Sequence, residues 1–138
     1  MKTYVEFRSD RFPTYDGEDK EINPGRFGKR LAQFISDGLP GEGFQPQQLF
    51  AEDWGWVVPI SNDEFPLSIG CGNLEDRSDE FLCFIEPHEP LIRKFLRKIE
   101  TRDRIESLQQ ALDKILSEEA GVREKRWWTH QEFNNPAS

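Results

Sequence analysis

The chain has 138 residues, of which 36% are hydrophobic, 12% aromatic and 32% charged, and its formal net charge is −8. This length fits one domain, and the supply of bulky apolar residues excludes a wholly disordered protein. The negative charge argues against a nucleic-acid-binding protein, because phosphate contacts require clustered Lys and Arg.

A strand and an amphipathic helix are predicted in the first forty residues. Residues 3–8 consist of alternating β-formers, which indicates a strand. A loop rich in Asp, Gly and Pro follows it. Asn23 is then predicted as the N-cap of a helix that begins at Pro24 and ends near Gly38.

An antiparallel meander is predicted for the middle of the chain. In its first two strands, period-2 alternation puts one set of side chains on one face: Trp54, Trp56, Val58 and Ile60, followed by Leu67, Ile69 and Cys71. The run from Phe81 to Ile85 is apolar on both faces and is predicted as a central strand. Residues 73–79 form the hairpin loop that precedes it.

Two helices and a last strand are predicted for the C-terminal third. The first helix begins at Pro90, with apolar residues at positions 91, 92, 95, 96 and 99 and basic residues facing outward. The second follows Thr101 and is closed by Gly121, and residues 122–128 return to the sheet. The predicted fold class is α+β, an antiparallel sheet of four or five strands with helices packed on one face.

The same patterns predict the extent and location of the domain. We expect a single α+β domain over residues 1–133 and a disordered tail over residues 134–138. No apolar run approaches the about 18 residues of a membrane span, and the first residues lack the apolar stretch of a signal peptide. We therefore expect a cytoplasmic protein that does not contact a membrane.

The two cysteines are informative through their spacing. Cys71 and Cys83 are equidistant from Arg77, so a hairpin centred there places them opposite each other on adjacent strands. Without a secretion signal, both are expected to be reduced and to pack as small hydrophobic residues.

The middle of the chain is strongly acidic. Residues 51–90 contain ten acids and only one base, Arg77: the acids are Glu52, Asp53, Asp63, Glu64, Glu75, Asp76, Asp79, Glu80, Glu86 and Glu89. We expect them to gather into one anionic rim that speeds encounter with a basic protein.

Tryptophans could add apolar contacts to that rim. Trp127 and Trp128 are adjacent, so on a strand they point to opposite sides, and one of them lies on the less buried side. Trp54 and Trp56 are either core residues or the walls of a pocket opened by glycines at positions 70 and 72. The residues expected to contact a partner are Glu52, Asp53, Trp54, Trp56, Asp63, Glu64, Glu75, Asp76, Trp127 and Trp128.

No motif for catalysis or cofactor binding is present. The chain has no nucleophile elbow or phosphate-binding loop, and its two histidines, His88 and His130, do not form a metal-binding pair on one helical face. The acidic segment 16–21 lacks the ligand spacing of an EF-hand. No catalytic residue, metal or cofactor is therefore expected.

Two short motifs resemble a known group of proteins. Glu52-Asp53-Trp54-Gly55-Trp56 and Arg126-Trp127-Trp128-Thr129 are similar to features of small uncharacterised bacterial proteins. Some of these are similar in size and acidity to immunity proteins that neutralise toxins. The resemblance implies no activity of its own.

Three hypotheses follow from the sequence. The first is a non-enzymatic module that binds a basic protein, such as a toxin held inactive by occlusion. The second is a small enzyme or ligand-binding domain with a pocket framed by Trp54, Trp56, Gly70, Gly72 and Cys71. The third is a homodimer subunit in which the basic helix predicted from Pro90 neutralises the acidic patch; that helix carries Arg93, Lys94, Arg97 and Lys98.

Overall fold

The computed structural model describes residues 1–75 and 77–135 and has an α+β fold. Its main sheet is antiparallel, with strand order β2-β3-β4-β5-β1-β8. The strands of this sheet are β1 (Lys2–Arg8), β2 (Phe50–Glu52), β3 (Gly55–Ile60), β4 (Leu67–Asn73), β5 (Glu80–Glu86) and β8 (Arg123–Thr129). A second sheet contains only β6 (Leu91–Lys94) and β7 (Arg97–Glu100).

Two helices cover one face of the six-stranded sheet. The helices among the described residues are α1 (Glu18–Glu21), α2 (Lys29–Gly38), α3 (Arg102–Ser117) and α4 (His130–Asn134), with a 3-10 turn at Pro40–Glu42. Apolar residues of α2 and α3 bury themselves against the inward side chains of β1, β3, β4 and β5 in one core. α4 lies at the other face, where Phe133 stacks on Tyr4 with ring centroids 5.1 Å apart. None of the described helices has both the length and the apolar character needed to cross a bilayer.

The α+β class is confirmed, but the number of strands is larger than predicted. The sheet has six strands rather than four or five, because the short edge strand β2 pairs with the start of β3. The β4–β5 hairpin has the expected register, with Cys71 opposite Cys83. The last strand, β8, also forms as expected and pairs with β1.

The helix predicted from Pro90 is wrong, because residues 91–100 form the β6–β7 hairpin. Their apolar spacing fits a helix, but Ile92 pairs with Ile99 across the hairpin, and both pack against the core. In a segment this short, apolar spacing fits either a helix or a strand, and the burial of Ile92 and Ile99 favours the hairpin. The Thr101 N–H donates to the carbonyl oxygen of Pro90 and closes the base of the hairpin.

The first long helix begins at Lys29, five residues later than predicted. The preceding segment is held against β4, where the Asn73 side chain accepts from the Phe27 N–H at 2.9 Å and donates to the Gly25 carbonyl at 2.8 Å. The buried carboxylate of Glu18 accepts from the N–H groups of Gly28 and Lys29. The Glu18 carboxylate thus caps the N-terminus of α2, where backbone N–H groups have no acceptor within the helix.

Candidate binding surfaces

The acidic turns lie at two opposite ends of the sheet, so the expected single rim does not form. The β2–β3 turn and the β4–β5 loop share one end, because Gly55 begins β3 beside the last residues of β4. The β3–β4 loop, with Asp63 and Glu64, lies at the other end, together with Glu86 at the end of β5. A seven-residue strand separates the ends by about 20 Å, well beyond the screening length of about 8 Å at physiological salt.

Some of the acids are neutralised within the molecule. Glu80 accepts from the Arg8 guanidinium, with Nε 3.0 Å from Oε1, and Arg77 lies within 3.5 Å of the same oxygen. Arg77 also approaches Asp79 at 3.7 Å. Asp76, one of the predicted contact residues, lies outside the described residues.

Acids at the far end of the sheet are interleaved with cations. A cleft of about 620 Å³ lies between the base of the β6–β7 hairpin and the start of α3. Its charged lining consists of Glu64, Arg97, Lys98, Glu100, Arg102 and Asp103. Asp63 and Glu64 also share a neighbouring cleft with Arg104. This end is therefore a mixed-charge surface, not an anionic one.

An acidic and aromatic corner forms at the other end, beside the exposed edge strand β2. Phe50 is 45% exposed and Trp54 is 37% exposed. Glu52, Asp53 and Glu75 are exposed, and within residues 1–75 and 77–135 none of these three forms an ion pair. We call Phe50, Glu52, Asp53, Trp54 and Glu75 the β2–β3 corner.

The position of Trp54 is set by a glycine. A Cβ atom at Gly70 would lie 2.7 Å from the Trp54 ring and 2.4 Å from the ring of Phe84. The two rings occupy the space that a side chain would take, with centroids 4.9 Å apart. Gly70 therefore makes room for the Trp54 ring to lie against the sheet.

The predicted tryptophan pocket is not formed, because its residues lie on opposite faces of the sheet. Trp56 is buried on the helical face opposite Cys71. Its ring packs beneath the Lys29 ammonium, 4.7 Å from the ring centroid. Trp54 and Gly70 lie on the other face. Trp56 is thus a core residue and is separated from the β2–β3 corner.

Trp127 and Trp128 point to opposite sides of β8, and each is half-buried with a carboxylate partner. The Trp127 indole N–H donates to Asp113 of α3 at 2.7 Å. The Trp128 indole N–H donates to Glu6 of β1 at 2.6 Å, and the Arg126 guanidinium lies over its ring. These bonds attach the edge strand to the rest of the fold, and neither ring belongs to the β2–β3 corner.

The cysteine pair is part of the core. The Sγ atoms of Cys71 and Cys83 are 3.9 Å apart, and both thiols are free and buried. Burial raises the pKa of the Cys83 thiol well above its ordinary value, and the adjacent Cys71 raises it further. A raised pKa makes the Cys83 thiol a poor nucleophile. Both cysteines are buried and pack as small hydrophobic residues.

The contact between the two histidine rings was not predicted from the sequence. The rings of His88 and His130 are parallel and 3.6 Å apart, and His130 also packs edge-on against Tyr4. The residues are 42 positions apart, in a loop and at the start of α4, so no local pattern could reveal the contact. Across the described ranges, no group of three or more His, Cys, Asp or Glu side chains is arranged to hold a metal ion.

The tip of the β6–β7 hairpin is a second surface that the sequence did not indicate. Phe95 and Leu96 are 94% and 101% exposed, although the pattern predicted both for the buried side of a helix. Four exposed cations flank them: Arg93, Lys94, Arg97 and Lys98. A sequence signal for this hairpin does exist. Ile92 and Ile99 are equidistant from the centre of the segment between Pro90 and Thr101, which matches their pairing across the hairpin.

Comparison with known proteins adds no constraint on either surface. No family model matches this chain. No curated protein and no solved structure matches it either.

Proposed function

We propose that this protein is a non-enzymatic module that binds a basic protein partner. The observation that carries the proposal is the β2–β3 corner, where the exposed rings of Phe50 and Trp54 share one end of the sheet with three exposed carboxylates that have no ion-pair partner among the described residues. An aromatic centre with a charged rim is the usual composition of a binding hot spot.

The charge of the corner determines the class of partner. Glu52, Asp53 and Glu75 would attract Lys and Arg side chains and would disfavour acidic partners. Because β2 is an edge strand with exposed residues, a partner can also approach its backbone. A toxin held inactive by occlusion of its basic active surface is one partner of this kind, which agrees with the immunity-like motif around Trp54.

Recovery and reconstitution of the partner tests the proposal. The protein is purified from its source cells with bound proteins, the partner is identified, and the dissociation constant is measured with both purified components by calorimetry. The double variant Glu52→Lys with Glu75→Lys should weaken binding at least tenfold, and raising the salt from 50 to 500 mM should weaken wild-type binding.

The acids at the other end of the sheet provide a matched control. Asp63→Lys with Glu64→Lys makes the same change in net charge, but at a distance of about 20 Å from the corner. This control should reduce affinity much less than the corner variant. If both variants weaken binding equally, or if binding does not depend on salt, the corner is not the binding surface.

A further inference from the structure

The tip of the β6–β7 hairpin places two large apolar side chains entirely in solvent. Phe95 and Leu96 connect the two strands and are the most exposed of the large hydrophobic residues described. Most of the apolar residues of β6 and β7 behave differently, since Ile92 and Ile99 pack against the core. Nearly complete exposure is therefore confined to the tip, since Leu91 at the base of the hairpin is 42% exposed.

The sequence of this tip opposes folding. Phe95 has a φ of 57°, a left-handed conformation at a turn position that usually carries Gly or Asn. Cations also face each other across the strands, with Arg93 opposite Lys98 and Lys94 opposite Arg97. Like charges in directly opposed positions are destabilising. An anionic ligand would relieve this repulsion.

The cations surround the tip on both faces of the hairpin. Side chains alternate between faces along a strand, so the Arg93 and Lys98 pair lies on one face and the Lys94 and Arg97 pair on the other. Residues 93–98 carry a charge of +4, which leaves −12 for the rest of the chain. Arg97 and Lys98 line the cleft that also contains Glu64, Glu100 and Asp103. None of the four cations forms an ion pair with a described residue, so all four remain available to an anionic surface.

We propose that the β6–β7 hairpin docks on an anionic lipid surface, with Phe95 and Leu96 inserted among the headgroups and the four cations bound to lipid phosphates. An apolar end with a basic collar matches the layered chemistry of a membrane interface, and long basic side chains can keep their charge at headgroup level. This contact needs no membrane-spanning segment, and it departs from the sequence-based expectation that the protein does not contact a membrane.

A protein partner fits this tip less well. A stable protein interface buries about 800 Å² per partner and is depleted in Lys. The tip offers two apolar side chains and two Lys among its four cations, on a hairpin too narrow to supply that area. This inference is independent of the β2–β3 corner, which lies at the opposite end of the sheet.

Vesicle binding tests the proposal directly. The full chain is sedimented with vesicles of phosphatidylcholine alone and with vesicles that contain 30 mol% phosphatidylglycerol. We expect binding only to the anionic vesicles. Phe95→Ser with Leu96→Ser should lower the partition coefficient at least tenfold, and so should Arg93→Gln with Lys98→Gln. Leu91→Ser, which removes an exposed apolar side chain from the base of the same hairpin, should leave it unchanged.

Two measurements separate the possible outcomes. Phe95→Trp places an indole at the tip, and lipids brominated in their acyl chains should quench its added fluorescence if the tip inserts. Equal binding to both kinds of vesicle, no binding to either, or no quenching would overturn the proposal. A concentration-dependent dimer in sedimentation velocity without vesicles, abolished by Phe95→Ser with Leu96→Ser, would instead assign the tip to a second copy of the chain and also overturn it.

Discussion

The interior of the six-stranded sheet and the tip of the β6–β7 hairpin contain similar residues in opposite environments. In the six-stranded sheet, apolar side chains such as Phe81 are buried, and charged groups near its edge, such as Asp113 and Lys125, are paired. In the β6–β7 sheet, Phe95 and Leu96 are exposed, and none of its four cations has an ion pair with a described residue. Folding accounts for the first arrangement but not for the second.

This difference separates residues that stabilise the fold from residues available for binding. A substitution in the buried part of the six-stranded sheet removes a contact inside the molecule and should be measured as lost stability. A substitution at the hairpin tip removes no such contact and should change only interactions with other molecules. The predictions below test this separation.

The largest loss of stability is expected for Phe81→Ala. Phe81 is fully buried in β5, with its ring centroid 5.8 Å from that of Phe7 and 5.9 Å from that of Phe12. Truncation should lower the free energy of unfolding by about 4 kcal/mol, measured by urea denaturation. Phe50→Ala is the matched control at the exposed edge and should cost less than about 1 kcal/mol. Equal losses would show that burial does not distinguish the two positions.

A smaller loss is expected when the space beneath Trp54 is filled. Gly70→Val would place atoms where the rings of Phe84 and Trp54 now lie, so both rings must move. Overpacking of this kind costs about 1–3 kcal/mol. The displaced indole should also become more accessible, which acrylamide quenching of tryptophan fluorescence can measure. Unchanged stability together with unchanged quenching would contradict the placement of these rings.

The local parts of the fold could be predicted from the sequence. Cys71 and Cys83 are close because both are six residues from Arg77, and a hairpin converts equal spacing into a cross-strand pair. The alternating signal of residues 3–8 likewise specified β1. Non-local contacts had no such signal: the His88 and His130 stack joins two segments that only the completed fold brings together.

The prediction of a single acidic rim was wrong, and the predicted meander already implied this. Successive turns of an antiparallel meander alternate between the two ends of its sheet, so the turns around residues 53, 63 and 75 could not all meet. A count of charges along the chain takes no account of this alternation. The β2–β3 corner retains Glu52, Asp53 and Glu75 because the first and third turns share an end.

A pH-dependent loss is expected for Asp113→Asn. Burial acts to raise the pKa of the Asp113 carboxyl, but hydrogen bonds from Lys125 and Trp127 and the charge of Lys125 outweigh it, so the pKa lies below its usual value. A lowered folded-state pKa stabilises the fold above the unfolded pKa, and this stabilisation disappears as the pH falls through the folded value. For this partly exposed group we expect a cost of about 1 kcal/mol at pH 7.

The pH series provides the control for that substitution. The difference in unfolding free energy between wild type and Asp113→Asn should shrink as the pH falls from about 5 toward 2, because the wild-type carboxyl also becomes neutral there. A difference that stays constant over this range would assign the cost to altered packing of the Trp127 indole instead.

The smallest effect on stability is expected at the hairpin tip. Phe95→Ser with Leu96→Ser removes two large side chains, yet both are solvated in the folded state, so little apolar area returns to water on unfolding. The midpoint and slope of urea denaturation should therefore match wild type, with a change in unfolding free energy below about 0.5 kcal/mol. A loss near that of Phe81→Ala would mean that the tip packs against the domain. It would then be part of the core, and its two apolar side chains would no longer need an external ligand to explain them.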